Sequence, residues 1–331
     1  VYFDKLIFGY NTDGTGITIK TEGDINVAGD KAHKSVEFTY DNFISGSTPN
    51  LSVESNTEYG TYTVQRFNGA QEELDLRYLG YDGTEDDYVQ NSVAYIQATS
   101  GKSKVYAGSN SQILTNGGAN LEAVINRDVS ATNVIVTQSQ TSNDTYCIYG
   151  SDCANVRIYD NGGNDSIRLN NYGYNLSEEN LRLLFNVNKD GSTDNKFILI
   201  NHGDNTSGIL TDGQALLGNN ATWGYNNGTI IVEANPTDNN KVGIEELLLC
   251  NTEYQDMGEY YQYIDTPVKN INLESWYGAV KEAVASWMTT NADWMTENNC
   301  NSAADVFALN NNEHYDKMAS LAQTYESCNA S

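Results

Sequence analysis

The stretch YDNGGNDSIRL, residues 159–169, concentrates oxygen-bearing side chains around two glycines. Asp160, Asn164 and Asp165 offer carboxylate and amide oxygens, the donors that calcium prefers in proteins. The glycines permit a sharp turn that brings backbone oxygens close to an ion. The alternating apolar residues that follow Asp165 predict a strand. The stretch therefore predicts a calcium-binding turn, and the alternative is a polar Asn/Asp/Gly loop without an ion.

A second oxygen-rich turn, NVNKDGSTDN, covers residues 186–195. Its first half has the opening order of an EF-hand loop, with oxygen-bearing residues at alternate positions and a glycine next. The twelfth position is Phe197, where an EF-hand needs a bidentate glutamate. We therefore expect a looser calcium loop or a solvated turn. The candidate ligands are Asn186, Asn188, Asp190 and Asp194.

The charge composition favours bound cations and argues against a nucleic-acid partner. The chain has 18 Lys and Arg against 44 Asp and Glu, a formal net charge of −26. No basic stripe is present to neutralise a phosphate backbone, so we expect no nucleic-acid partner. Carboxylates in this excess repel one another unless cations lie among them. Two further acidic turns, at 11–16 and 81–88, are solvated hairpin ends or weaker cation sites.

The strictly apolar runs are short, so we expect no membrane insertion.

Motifs for catalysis are absent from the sequence. We find no GxSxG elbow, HExxH motif, Walker loop or Rossmann glycine pattern, and we therefore expect a non-enzymatic protein without catalytic residues.

The five cysteines lack the spacing of a zinc site. Cys147 with Cys153, and Cys300 with Cys328, could each form a disulfide in an oxidising compartment, or all five could be unpaired.

Periodicity places the candidate turns in a mainly β protein. Short β-type runs such as NVIVTQ, VRIYD, SIRL, KFILIN and TIIVEA are separated by Asn/Asp/Gly turns as far as about residue 250. Apolar clusters in 133–169 recur roughly every dozen residues, which fits hairpins or short solenoid rungs. We expect a β-roll or β-helix body, or a β-sandwich.

The C-terminal region changes to helical periodicity. Apolar residues at spacings of three and four predict an amphipathic helix over 272–290, capped by Asn272. Ser302 followed by Asp305 predicts a second helix start. These patterns predict a small α-helical C-terminal cap. The predicted divisions are a β-rich domain at 1–130, a second β-rich region at 131–268, and the helical cap at 269–331.

The segments YDNGGNDSIRLNNYGYNLSEENLRLLFNVNKDG and INLESWYGAVKEAVASWM are similar to the C-terminal regions of RTX, haemolysin-type calcium-binding proteins. The resemblance covers about residues 150–290. It implies export, by type I secretion in many members, and calcium-assisted folding outside the cell. The chain departs from the family in having a single degenerate repeat, because Asp160 and Asn161 stand where two glycines belong.

Taken together, these patterns predict an extracellular or cell-surface protein with a structural or adhesive role. We expect a surface-layer, adhesin or filament subunit that self-assembles or binds cell-surface partners, possible glycans included, with calcium as its cofactor. One alternative is a secreted polysaccharide-active enzyme on a β-helix, and another is a calcium-dependent carbohydrate-binding module that uses its tyrosines. The start at Val1 is compatible with a processed chain or a piece of a longer one.

Overall fold

A computed structural model describes about two thirds of the chain. The described residues are 7–8, 16–21, 36–41, 50–56, 60–67, 69–77, 92–127, 131–138, 141–150, 154–172, 181–201, 229–234, 243–256, 261–309, 314, 317 and 320–321. The acidic turn at 81–88, most of the turn at 11–16, and Cys153 and Cys328 lie outside them.

The chain forms two compact units, residues 1–142 and 143–331. The three divisions predicted from the sequence, at 1–130, 131–268 and 269–331, remain a prediction. Both units are mainly β, as predicted, and the body is a parallel β-solenoid. From β5 to β11 in the first unit, and from β12 to β15 in the second, successive strands alternate between two sheets, so the chain winds round the space between them.

The first unit begins with antiparallel strands and continues as parallel ones. Strands β1 to β5 pair antiparallel in sequence order. β5, β7, β9 and β11 then form parallel pairs in one sheet, and β6, β8 and β10 do so in the other. The strands are β1 (Ile7–Phe8), β2 (Gly16–Thr21), β3 (Val36–Asp41), β4 (Asn50–Asn56), β5 (Gly60–Phe67), β6 (Leu74–Asp75), β7 (Ser92–Gln97), β8 (Lys102–Ala107), β9 (Ser111–Asn116), β10 (Asn120–Ile125) and β11 (Thr132–Gln138).

The second unit carries the predicted calcium turns. One of its sheets holds β12, β14, β18 and β19 in that order, and the other holds β13, β17, β16 and β15. Parallel pairing joins β12 to β14, β14 to β18, and β13 to β17, whereas β15, β16 and β19 pair antiparallel. The strands are β12 (Thr145–Tyr149), β13 (Ala154–Asp160), β14 (Ser166–Tyr172), β15 (Leu181–Val187), β16 (Thr193–Asn201), β17 (Thr229–Ala234), β18 (Glu246–Asp256) and β19 (Tyr261–Asn272).

Parallel register stacks apolar residues into columns inside the second unit. Ile148 lies opposite Leu169, and Leu169 lies opposite Leu249, so three neighbouring strands place an aliphatic side chain at one position. All three side chains are buried. Burial of each contributes about 1.5–3 kcal/mol, before the entropy of ordering the chain is subtracted. Of the two arrangements expected for the recurring clusters, the structure forms solenoid rungs.

In the described part of the chain, the helical elements with defined bounds after β19 are α1 (Leu273–Thr290), α2 (Ala292–Glu297) and α3 (Ala303–Ala308). The predicted helix over 272–290 and its cap are confirmed, since Asn272 Oδ1 accepts a hydrogen bond from Ser275 N at 2.8 Å. Ser302 caps α3 through Asp305 N at 3.2 Å, also as predicted. Among the described helices, none has both the length and the apolar content needed to cross a bilayer.

Candidate metal centre

The first predicted calcium turn lies at a corner of the solenoid. β13 ends at Asp160 in one sheet, and β14 begins at Ser166 in the other. Gly162 adopts a φ of +101°, and its N–H donates to Asp160 Oδ1 at 2.7 Å. The left-handed conformation favours glycine at this position, so the glycine allows the chain to pass from sheet to sheet.

The two aspartates of this turn lie inside the solenoid. Asp160 is 2% exposed and Asp165 is 1% exposed. Asn164, the third predicted ligand, is exposed, and its N–H donates to Asn143 Oδ1 at 3.1 Å. The structure therefore brings two of the three predicted ligands of this turn together in the interior and leaves the third on the surface.

A third aspartate, which sequence reasoning missed, completes the group. One carboxylate oxygen from each of Asp144, Asp160 and Asp165 lies within 4.8 Å of the other two, and Asp144 is buried as well. We call these three residues the carboxylate cluster. The sequence does contain a signal for Asp144, because Asn143-Asp144-Thr145 and Asn164-Asp165-Ser166 repeat at a spacing of 21 residues.

Strand register explains how Asp144 and Asp165 meet. Thr145 pairs with Ser166, and Ser166 pairs with Glu246, so the residues just before them occupy one position on three adjacent strands. We call this set, Asp144, Asp165 and Glu245, the acid column. Each link is a hydrogen bond from a main-chain N–H to the next carboxylate. Asp144 N donates to Asp165 Oδ1 at 2.7 Å, and Asp165 N donates to Glu245 Oε2 at 2.6 Å.

Burial and mutual repulsion govern the electrostatics of the cluster. Desolvation, followed by the charges of neighbouring carboxylates, raises the pKa of Asp165 to about 8. Desolvation likewise raises the pKa of Asp160 to about 6, although hydrogen bonds from Tyr146 and Gly162 oppose the shift. None of the ion pairs described in the structure involves Asp160 or Asp165.

Tyr146 supplies a hydroxyl donor beside the cluster. Its O–H donates to Asp160 Oδ2 at 2.5 Å, and its ring is fully buried. Burial, and then the charge of Asp160, raises the pKa of Tyr146 well above its ordinary value. The hydroxyl therefore stays protonated and orients Asp160.

One oxygen of the cluster has no hydrogen-bond partner. Asp165 Oδ2 is buried and accepts no hydrogen bond in the described structure. A buried polar atom without a partner is rare in folded proteins and calls for an explanation such as an ion or a water molecule.

Chemically, the cluster offers hard oxygen donors. Calcium binds oxygens at about 2.3–2.6 Å, so ligands on opposite sides of the ion lie about 5 Å apart. The 4.8 Å limit on the cluster's mutual distances is compatible with that geometry. A glycosidase also uses paired carboxylates, but burial of all three side chains keeps a sugar from reaching them. The cluster is therefore better suited to an ion than to a substrate.

The second predicted calcium turn connects β15 to β16 and contacts both the segment before α3 and α3 itself. Lys189 N donates to Asn301 O at 2.8 Å, and Asn186 Oδ1 accepts from Ala304 N at 3.1 Å. Asn188 Nδ2 donates to Ser192 Oγ at 3.0 Å.

Asp190 and Asp194 complete the predicted ligands of this turn. Asp190 Oδ1 accepts from Ser192 N and Oγ, and the side-chain hydrogen bond is the main cause that lowers the pKa of Asp190. Asp194 lies in β16, and its side chain is outside the description. Calcium at this turn stays a prediction, while the observed role of its side chains is to shape the turn and join it to α3.

No family model, curated protein or solved structure matches this chain.

Cysteine geometry bears on the predicted disulfides. Cys300 is buried and free, whereas Cys328, its predicted partner, lies outside the described residues. Cys250 is also buried and free, and burial raises the pKa of both thiols. Cys147 is buried as well.

Proposed function

We propose that this chain is a non-enzymatic extracellular protein with a structural or adhesive role, such as a surface-layer, adhesin or filament subunit, and that calcium assists its folding or assembly. The observation that carries the proposal is the buried carboxylate cluster inside a parallel solenoid. A protein that folds around such a cluster gains stability wherever calcium is plentiful, as it is outside cells.

Charge supports assembly through calcium. A net charge of −26 makes copies of the chain repel one another, and divalent cations reduce that repulsion. The resemblance to RTX proteins points in the same direction, because it implies a chain that folds after export. Partners would then be further copies of the chain or acceptors on a cell surface.

A binding module for carbohydrate is the second candidate, and the hairpin of β18 and β19 favours it. Tyr254 is 54% exposed and lies opposite Tyr263. The two rings are arranged edge to face, with their centroids 5.3 Å apart. Exposed aromatic rings stack on the apolar faces of sugars. A glycan array probed with and without chelator tests this candidate, since it predicts binding that is lost when Tyr254 is changed to alanine.

The structural proposal is tested by comparing the full chain in chelator with the same chain in about 1 mM calcium, the range of extracellular calcium modules. Circular dichroism reports the β structure, and light scattering reports particle size. We expect calcium to raise the melting temperature and to produce larger particles. A chain whose stability and size are the same in both conditions would contradict the proposal.

A further inference from the structure

The acid column connects three strands and a helix through one line of hydrogen bonds. Main-chain bonds run from Ser166 N to Asp144 O at 2.9 Å and from Glu245 N to Asp165 O at 3.1 Å. The line continues to Leu273, the first residue of α1, whose N–H donates to Glu245 O at 2.7 Å. An ion held by this column would thus be coupled to β12, β14, β18 and the start of α1.

We propose that Asp144, Asp160 and Asp165, with Glu245 as the fourth acid, form one buried calcium site that fastens these strands to the start of α1. The proposal rests on the calcium-assisted part of the proposed function and names its site. It differs from the turn predicted from sequence, because it excludes the exposed Asn164 and includes Asp144 and Glu245.

Two independent observations support an ion at this position. The first is the geometry, since three carboxylates lie within 4.8 Å of one another in the interior. The second is the buried Oδ2 of Asp165, which lacks a hydrogen-bond partner in the described structure. A cation among the carboxylates would compensate their charge, and Asp165 Oδ2 would bind that cation.

The surroundings favour calcium over magnesium. Magnesium requires near-octahedral geometry at about 2.0–2.1 Å and usually keeps several water molecules. Calcium accepts irregular sets of six to eight oxygens, and the three aspartates each contribute an oxygen to a group whose members lie within 4.8 Å of one another. Since the three aspartates are buried, ligands from the protein would replace most of the water around the ion. We expect calcium to bind at least 10-fold more tightly than magnesium.

The test is a calorimetric calcium titration of the full chain after chelator has been removed by dialysis. The parent is compared with Asp165→Asn and Asp144→Asn, which keep the side-chain shape, and with Asp190→Asn as the control from the second predicted turn. We expect one calcium in the parent that raises the melting temperature, at least 10-fold weaker binding in the first two variants, and parental binding in the control.

Several outcomes would overturn the site. These are no calcium binding by the folded parent, parental affinity in Asp165→Asn, or loss of binding in Asp190→Asn but not in Asp165→Asn. Circular dichroism of each variant verifies that its β structure is intact, and Glu245→Gln replaces any variant that does not fold. Light scattering on the same samples separates the two proposals. Calcium bound at the cluster without assembly supports the site and contradicts the assembly role. Calcium-dependent assembly of a parent whose calcium affinity is unchanged by Asp165→Asn supports the assembly role and contradicts the site.

Discussion

Asp144 N donates a 2.7 Å hydrogen bond to Asp165 Oδ1, and the two residues occupy the same position on neighbouring parallel strands. One oxygen of Asp165 is thus fixed by the main chain of the adjacent strand, while its other oxygen, Oδ2, is buried without a hydrogen-bond partner in the described structure. The solenoid register therefore both creates the carboxylate cluster and orients it. Stacking of acids in this way is unfavourable unless protons or a cation neutralise them.

Metal-free protein should lose stability as the pH rises. The pKa of Asp165 is raised from 3.8 to about 8, and that of Asp160 from 3.8 to about 6. Between pH 3.8 and the raised pKa of each aspartate, the folded state binds more protons than the unfolded state. The free energy of unfolding therefore falls with increasing pH over that range. We expect the melting temperature in chelator to decrease from about pH 5 to pH 8.

Two controls separate this effect from general repulsion among the many carboxylates. Asp165→Asn removes the aspartate whose pKa is raised further, so the melting temperature of this variant should depend less on pH than that of the parent. Calcium should flatten the parent's profile over the same range. A parent in chelator that becomes more stable toward pH 8 would show that the cluster does not hold protons as described.

Gly117→Ala should destabilise the first unit much more than Gly118→Ala. A Cβ on Gly117 would lie 2.5 Å from the main-chain oxygen of Ala98, and Gly117 has a φ of +122°. Gly118 has a φ of +85°, but a Cβ there meets nothing within 4 Å. Backbone strain costs about 1–3 kcal/mol in each variant, and the clash adds to it at Gly117. Urea unfolding measures the difference in stability between the two variants. Equal losses of stability in both variants would contradict the described turn.

Asn272→Ala should weaken the start of α1. The Asn272 side chain accepts from Ser275 N at 2.8 Å, and loss of such a cap costs about 1 kcal/mol. Asn272→Ser retains a capping oxygen and should preserve most of the stability. Chemical denaturation compares the three proteins, and a serine variant as unstable as the alanine variant would argue against capping.

Asn186→Ala should loosen α3 without changing calcium affinity. Asn186 Oδ1 accepts from Ala304 N at 3.1 Å, near the start of α3. A net hydrogen bond of this kind contributes about 0.5–1.5 kcal/mol, so hydrogen exchange in α3 should accelerate. Weaker calcium binding in this variant would instead support the calcium loop predicted from the EF-hand-like spacing.

The sequence allowed the β body, the strand after Asp165 and the capped helix α1 to be predicted, because each depends on local periodicity or capping chemistry. It also pointed to Asp160 and Asp165, since the glycines between them mark a turn. Asp144 was missed because its partnership depends on the parallel register between β12 and β14, a long-range property. The repeated Asn-Asp-Thr and Asn-Asp-Ser triplets were the available signal.

The second predicted calcium turn shows what the spacing of residues in the sequence cannot distinguish. Asn186, Asn188 and Asp190 have a spacing typical of calcium ligands, yet in the structure their side chains hydrogen-bond within the turn and to the segment at α3. Asx side chains satisfy main-chain groups in turns as readily as they bind ions. Spacing alone therefore could not distinguish a ligand from a turn-forming residue, and the contact with α3 joins residues more than a hundred positions apart.

The most direct test of the calcium site is anomalous X-ray diffraction from crystals of the full chain grown with calcium and, separately, with a lanthanide in its place. We predict one strong anomalous peak enclosed by the carboxylates of Asp144, Asp160 and Asp165, with Asp165 Oδ2 as a ligand. A calcium-saturated crystal with no peak there, or with its peak at the turn of Asp190, would contradict this prediction.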